Sequence, residues 1–190
     1  MNICIFPGTF NPIHDAHIKM AEFVLEHYEF EKIIFIPAYV PPHKDLNINI
    51  AGHRFKMVEL ATKNNPKFVV SDIEYKSEGK SYSLLTVKKV HEQYNVKDRL
   101  NFIIGTDAFI GLDTWYHSEE LKPLVHFLVF QRRGSGNEQL YNEFKQKGWS
   151  FEILENEFMD VSSTEIRNST NNQVDKTVEG YIKDYGLYKN

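Results

Sequence analysis

Six short apolar runs punctuate the chain: ICIF at 3–6, IIFI at 33–36, FVV at 68–70, LNFII at 100–104, FLVF at 127–130 and FEIL at 151–154. Each is too brief for a helix and rich in β-branched or aromatic residues, which predicts strands buried on both faces. Between them, apolar residues recur at helical spacing. Ile18, Ala21, Leu25 and Tyr28 do so, then Leu84, Val87, Val90 and Tyr94, and finally Val174, Val178, Tyr181, Ile182 and Tyr185. Strand and helix in alternation predict an α/β fold, a Rossmann-like, mostly parallel sheet with helices on both faces. In such sheets ligands bind beyond the carboxyl ends of the strands, where loops lead into helices.

The 190 residues suit one domain, 1–190, with the polar stretches 134–139 and 168–173 as surface loops entering helices rather than linkers. Cys4, inside the first apolar run, is the only cysteine. That excludes a disulfide framework and a cysteine-rich zinc site, and leads to the expectation of a reducing, cytoplasmic setting. No apolar stretch approaches the roughly 20 residues of a membrane helix, so no membrane partner is expected. A net charge of −4 argues against a general nucleic-acid face. It leaves a small anionic ligand open, because a binding site is set by local charge.

The loop after the first strand, GTFNPIHDAH at 8–17, carries the most chemistry. Gly8 permits a tight turn or close approach of a ligand to the backbone. Pro12 stiffens the loop, and His14 or Asp15 begins a helix running to about His27. Exposed N–H groups at a helix start suit a phosphate. His14 and His17, three residues apart in the first turn, lie on one side and can donate to its oxygens. A metal reading lacks a third ligand nearby, so no metal site is assigned. The plain alternative is a pair of polar residues at a helix start.

A second such feature is MDVSSTEIR at 159–167. Ser162 and Glu165 have capping-box spacing, which puts Ser163 and Thr164 at the first helical positions, with free N–H groups and hydroxyls. Arg167 lies one turn on and can reach the same anion with two donors. Alone, this could be a well-capped surface helix.

Together the two segments resemble the nucleotidyltransferase superfamily, whose signatures are a glycine loop ending in two histidines and an I-S-S-T-x-I-R turn. The intervening chain is similar to the bacterial nicotinate-nucleotide adenylyltransferases. The matching pieces are IPAYVPPHK at 36–44, SDIEYKSEGKSYSLLTV at 71–87, FIIGTDAFIGLDTWY at 102–116, QRRG at 131–134, VSSTEIR at 161–167 and GYIKDYGLY at 180–188. They are collinear and cover nearly the whole chain. Departures include Pro7 for a second glycine, Asn11 for aspartate, and a shorter connection between Arg167 and Val174.

The resemblance implies a nucleotidyltransferase-type fold and the reaction of ATP with nicotinate mononucleotide to give deamido-NAD and pyrophosphate. It implies catalytic roles for His14, His17, Lys44 and Arg167. Gly8, Thr9, Phe10, His14, His17, Gly105, Asp107, Ser163, Thr164 and Arg167 would bind ATP. Thr86, Trp115, Tyr116 and Arg132 would bind the mononucleotide. Mg²⁺ would travel with ATP, retaining waters rather than needing a protein cage. A homo-oligomer is left open. Read without the resemblance, Thr86 and Trp115 could be packing residues, Asp107 a helix cap and Lys44 a solvated lysine. The rival functions are adenylyl transfer to nicotinamide mononucleotide or another small phosphate acceptor, and an ATP-binding regulator without catalysis.

Overall fold

The computed structural model describes residues 2–42, 48–77, 79–131, 136–155, 164, 167 and 173–188. All six apolar runs are strands: β1 (Ile3–Gly8), β2 (Lys32–Pro37), β3 (Phe68–Val70), β4 (Leu100–Gly105), β5 (Val125–Gln131) and β6 (Phe151–Glu155). They form one sheet in the order β3-β2-β1-β4-β5-β6, with every pair parallel. The expected sheet was mostly parallel; the described one is wholly so.

Residues alternate between the two faces of each strand, and both faces are apolar, which is why the runs are continuous. Cys4, Phe6, Ile33, Phe35, Ile103, Leu128 and Phe130 point one way. They pack against α1 (Asp15–His27), α2 (Ala51–Thr62) and α7 (Lys176–Asp184) through Met20, Ala21, Val24, Met57, Val58 and Val178. Ile5, Ile34, Phe102, Ile104, Phe127 and Val129 point the other way. They meet α3 (Ser83–Tyr94) and α6 (Glu138–Gln146) through Leu84, Val87, Val90, Tyr141 and Phe144. Cys4 is fully buried, and burial raises its thiol pKa well above the ordinary value, as for an inert core residue. Two one-turn helices, α4 (Thr106–Phe109) and α5 (Ser118–Leu121), fill the β4–β5 connection. No helix among the described residues is long and apolar enough to cross a membrane.

The polar stretch 134–139 enters a helix as expected: α6 begins at Glu138, capped by the Asn137 side chain accepting from the Leu140 N–H. Of the stretch 168–173, only Gln173 lies within the described residues. The central strands β1 and β4 are neighbours, yet the chain leaves β1 for the α1 face and β4 for the α3 face. That divergence opens a crevice beyond their carboxyl ends, the switch point of a doubly wound sheet.

Candidate active site

The first loop folds on itself before it can meet any ligand. Beyond Gly8 the backbone turns through Phe10 at φ +45°, a left-handed conformation, and through a cis Asn11–Pro12 bond. The Phe10 ring swings back beneath the loop and is only 2% exposed. A Cβ on Gly8 would lie 2.8 Å from Phe10 Cζ, so the glycine is required by the loop's own ring. Phe10 then meets the His17 ring edge-on, with centroids 5.1 Å apart.

His14 is the N-cap of α1, and His17 sits in the first turn. The His14 backbone N–H donates to His17 Nδ1 at 3.2 Å, and the two residues adopt the reciprocal arrangement of a capping box. The imidazoles lie one over the other, centroids 3.7 Å apart and planes 31° apart. Because Nδ1 accepts, the neutral His17 ring carries its proton on Nε2, the tautomer that donates to an oxyanion.

The second feature comes to the same turn. Arg167 Nη1 donates to the Asn11 carbonyl at 2.6 Å, and Nη2 donates to the Thr164 hydroxyl at 3.0 Å. A buried arginine braces the start of the same loop. Arg54, on the inward face of α2, is 0% exposed, and its Nη1 donates to the carbonyls of Thr9 (2.7 Å) and Ala38 (2.6 Å). Its Nη2 donates to the Tyr39 carbonyl at 3.1 Å. Burial lowers its pKa, and the neighbouring Tyr75, Tyr188 and Glu74 oppose that effect.

A cleft of about 450 Å³ opens beside Pro7, Gly8 and Thr9 at the switch point. Phe102, Ile104, Asp107, Trp115, Tyr116, Tyr82, Ser81 and Glu74 also line it. Tyr82 and Tyr116 stack on each other, centroids 4.4 Å and planes 25° apart, and Tyr116 is 43% exposed at the rim. Trp115 is half-buried and packs near Phe102 and Phe127, so it serves core and cleft wall together. Glu74 is 6% exposed, and its Oε1 accepts from the Thr86 hydroxyl at 2.7 Å. Burial raises its pKa, against the Ser81 and Thr86 hydroxyls, the Tyr39 N–H and Arg54, all of which favour the carboxylate. No group of three or more His, Cys, Asp or Glu side chains among the described residues could hold a metal ion.

A cytidylyltransferase-like family model matches residues 5–169. A Fusobacterium nucleatum protein named "probable nicotinate-nucleotide adenylyltransferase" is 42% identical over 92% of this chain and 90% of its own. A protein of the same name from Caldicellulosiruptor saccharolyticus is 34% identical over the whole of both chains. The chain belongs to the nicotinate-nucleotide adenylyltransferase family. Its fold is also that of Plasmodium falciparum nicotinic acid mononucleotide adenylyltransferase complexed with NaAD. That likeness has a TM-score of 0.79 at 21% identity and covers 98% and 97% of the two chains.

Of the positions that the adenylyltransferase resemblance singled out, Gly8, Thr9 and Phe10 form the turn and His14 and His17 cap α1, with Thr164 and Arg167 beside them. Gly105 is the N-cap of α4, so Asp107 is not the cap; it lies in the first turn, on the cleft wall. Trp115 directly follows the one-turn 3-10 helix Leu112–Thr114. Thr86 is in the first turn of α3, only 4% exposed, with its hydroxyl given to Glu74; Glu74, and not Thr86, lines the cleft. Lys44, Ser163 and Arg132, along with the Ser162 cap, lie outside the described residues. Sequence reading missed Arg54, Glu74, Tyr82 and Tyr188. The available signal for Arg54 was a cation in register with Ala51, Met57 and Val58 on one helical face.

Proposed function

We propose that the chain transfers the adenylyl group of ATP to nicotinate mononucleotide, giving deamido-NAD and pyrophosphate. The observation that carries this reading is the Arg167–Asn11 hydrogen bond. It sets the late arginine against the turn that delivers the two histidines, and Gly8 and Thr9 at the start of the same loop line an aromatic cleft. One side of that junction is built for phosphates and the other for a flat ring. Relatives at 34–42% identity carry the name of this activity.

In the transfer, a 5′-phosphate oxygen of the mononucleotide bonds to the α-phosphorus of ATP. The bond from that phosphorus to the bridging oxygen breaks, and pyrophosphate leaves with the electron pair. No proton need move and no covalent enzyme intermediate forms, so the chain's work is positioning and charge stabilisation. His17 Nε2–H, with the His14 ring stacked on it, meets the oxygens where charge accumulates. Arg167 and Thr164 hold the far end of the triphosphate, which enters as its Mg²⁺ complex. Lys44 and Ser163 add charge and donors to the same phosphates, and Gly105 and Asp107 meet a ribose. Trp115 and Tyr116 stack on the pyridine ring, and Arg132 supplies a further phosphate contact.

The test supplies ATP with nicotinate or nicotinamide mononucleotide and detects pyrophosphate. Release with the acid, and far less with the amide, is expected; equal rates would defeat the assignment of the acid. His17→Ala should lower kcat by about 10²–10³-fold, as for a lost transition-state donor, while the chain stays folded. Near-normal turnover in that variant would remove the histidines from the chemistry.

A further inference from the structure

The segment after α7 folds back onto the histidine loop. Gly186 and Leu187 N–H groups close the helix on the carbonyls of Lys183 and Ile182, and Tyr188 then turns at φ +61°. A tyrosine is disfavoured in the left-handed region, so local contacts must hold it there. What holds it is Asn11, whose Oδ1 accepts from the Tyr188 hydroxyl at 2.6 Å across 177 positions of sequence. The ring packs against the α1–α2 core, and Arg54 and Arg167 both lie close enough to act on the phenol electrostatically. Burial outweighs the two arginines and raises the phenol's pKa, so the hydroxyl remains a donor throughout the neutral range.

Asn11 is thereby held by both of its oxygens. Tyr188 takes the side-chain oxygen, and Arg167 takes the main-chain oxygen at 2.6 Å. Asn11 lies three residues before His14 and is itself only 7% exposed. From this geometry we infer that Tyr188 is a positioning residue for adenylyl transfer: through Asn11 it fixes the spacing between the histidine turn and Arg167. The inference rests on the adenylyl-transfer reading. It assigns work to the GYIKDYGLY segment, which touches neither phosphate cluster by sequence proximity.

Tyr188→Phe removes the hydroxyl and keeps the ring. It should lower kcat with saturating substrates about tenfold, the equivalent of one hydrogen bond in the transition state. The KM for the mononucleotide and the melting temperature should stay close to those of the parent. Asn11→Ala should give a similar fall, and the double variant should be no slower than the slower single one, because both cut the same link. Three results would overturn the proposal: a parent-like kcat in Tyr188→Phe, a fall explained by the unfolded fraction, or multiplying effects in the double variant. A parent protein that releases no pyrophosphate overturns the adenylyl-transfer reading and, with it, this proposal. An active parent matched by Tyr188→Phe overturns the proposal alone.

Discussion

Gly8→Ala tests whether the loop after β1 is shaped by its own aromatic ring. The added methyl would sit 2.8 Å from Phe10 Cζ and 3.0 Å from both Cε atoms. Carbon atoms rest about 3.5–4.0 Å apart, so the ring must retreat by about 0.7 Å or the strand end must move. The ring has little room, with Phe6 at 5.5 Å, Phe35 at 6.0 Å and His17 at 5.1 Å between centroids. Overpacking of this kind costs about 1–3 kcal/mol. For a chain of this length that lowers Tm by about 2–12 °C, at roughly 2–4 °C per kcal/mol. Displacement passes directly into His17, and a shift on the order of 1 Å in a reacting geometry costs about 10²-fold in rate. The assays are thermal melting without nucleotide and pyrophosphate release with ATP and nicotinate mononucleotide. Gly52→Ala is the control, since its Cβ meets nothing within 4 Å on α2 and should leave Tm level or slightly higher. If Gly8→Ala weakens ATP binding but melts like the parent, the glycine serves ligand approach and the ring argument is wrong.

Two further outcomes follow from the buried charges. Arg54→Met leaves the carbonyls of Thr9, Ala38 and Tyr39 without their donors. Each buried orphan costs about 1–3 kcal/mol, partly offset by no longer burying a cation, so a net loss of about 3–5 kcal/mol should be visible in urea unfolding. Arg54→Lys should recover only part of it, because an ammonium cannot fork to three carbonyls; a Met variant as stable as the parent would contradict the brace. Glu74 bears on pH. Burial raises its carboxyl pKa above the ordinary 4.5, so the folded chain keeps a proton that the unfolded chain releases. The stability it contributes is therefore fully present below the ordinary value and is lost as pH rises through the raised folded one. Glu74→Gln should flatten that part of the Tm–pH curve and leave the protein no less stable at neutral pH; an unchanged slope would refute a raised Glu74.

The strands were legible because a parallel strand covered on both faces must be apolar at every position, so ICIF or FLVF carries its own assignment. Helix α2 was not, because its inward face places Arg54 between Ala51 and Met57. A guanidinium whose two terminal nitrogens bond main-chain carbonyls of other segments leaves no complementary side chain to find in the sequence. The same reason hides the Asn11 junction, whose partners lie 156 and 177 positions away. Thr86 shows a different failure. The resemblance makes it a mononucleotide contact, but in the first turn of α3 its hydroxyl donates to Glu74, and the carboxyl lines the cleft. The histidine pair shows what spacing alone can reach. At the start of α1 a ring three residues on accepts the N-cap N–H, and this one hydrogen bond both closes the helix end and sets the tautomer that leaves Nε2 a donor. Capping and anion binding therefore ask for the same residues in the same places. The plain reading of His14 and His17 as helix-start residues leaves room for the proposed phosphate role, since the cap uses His17 Nδ1 and leaves Nε2 a donor.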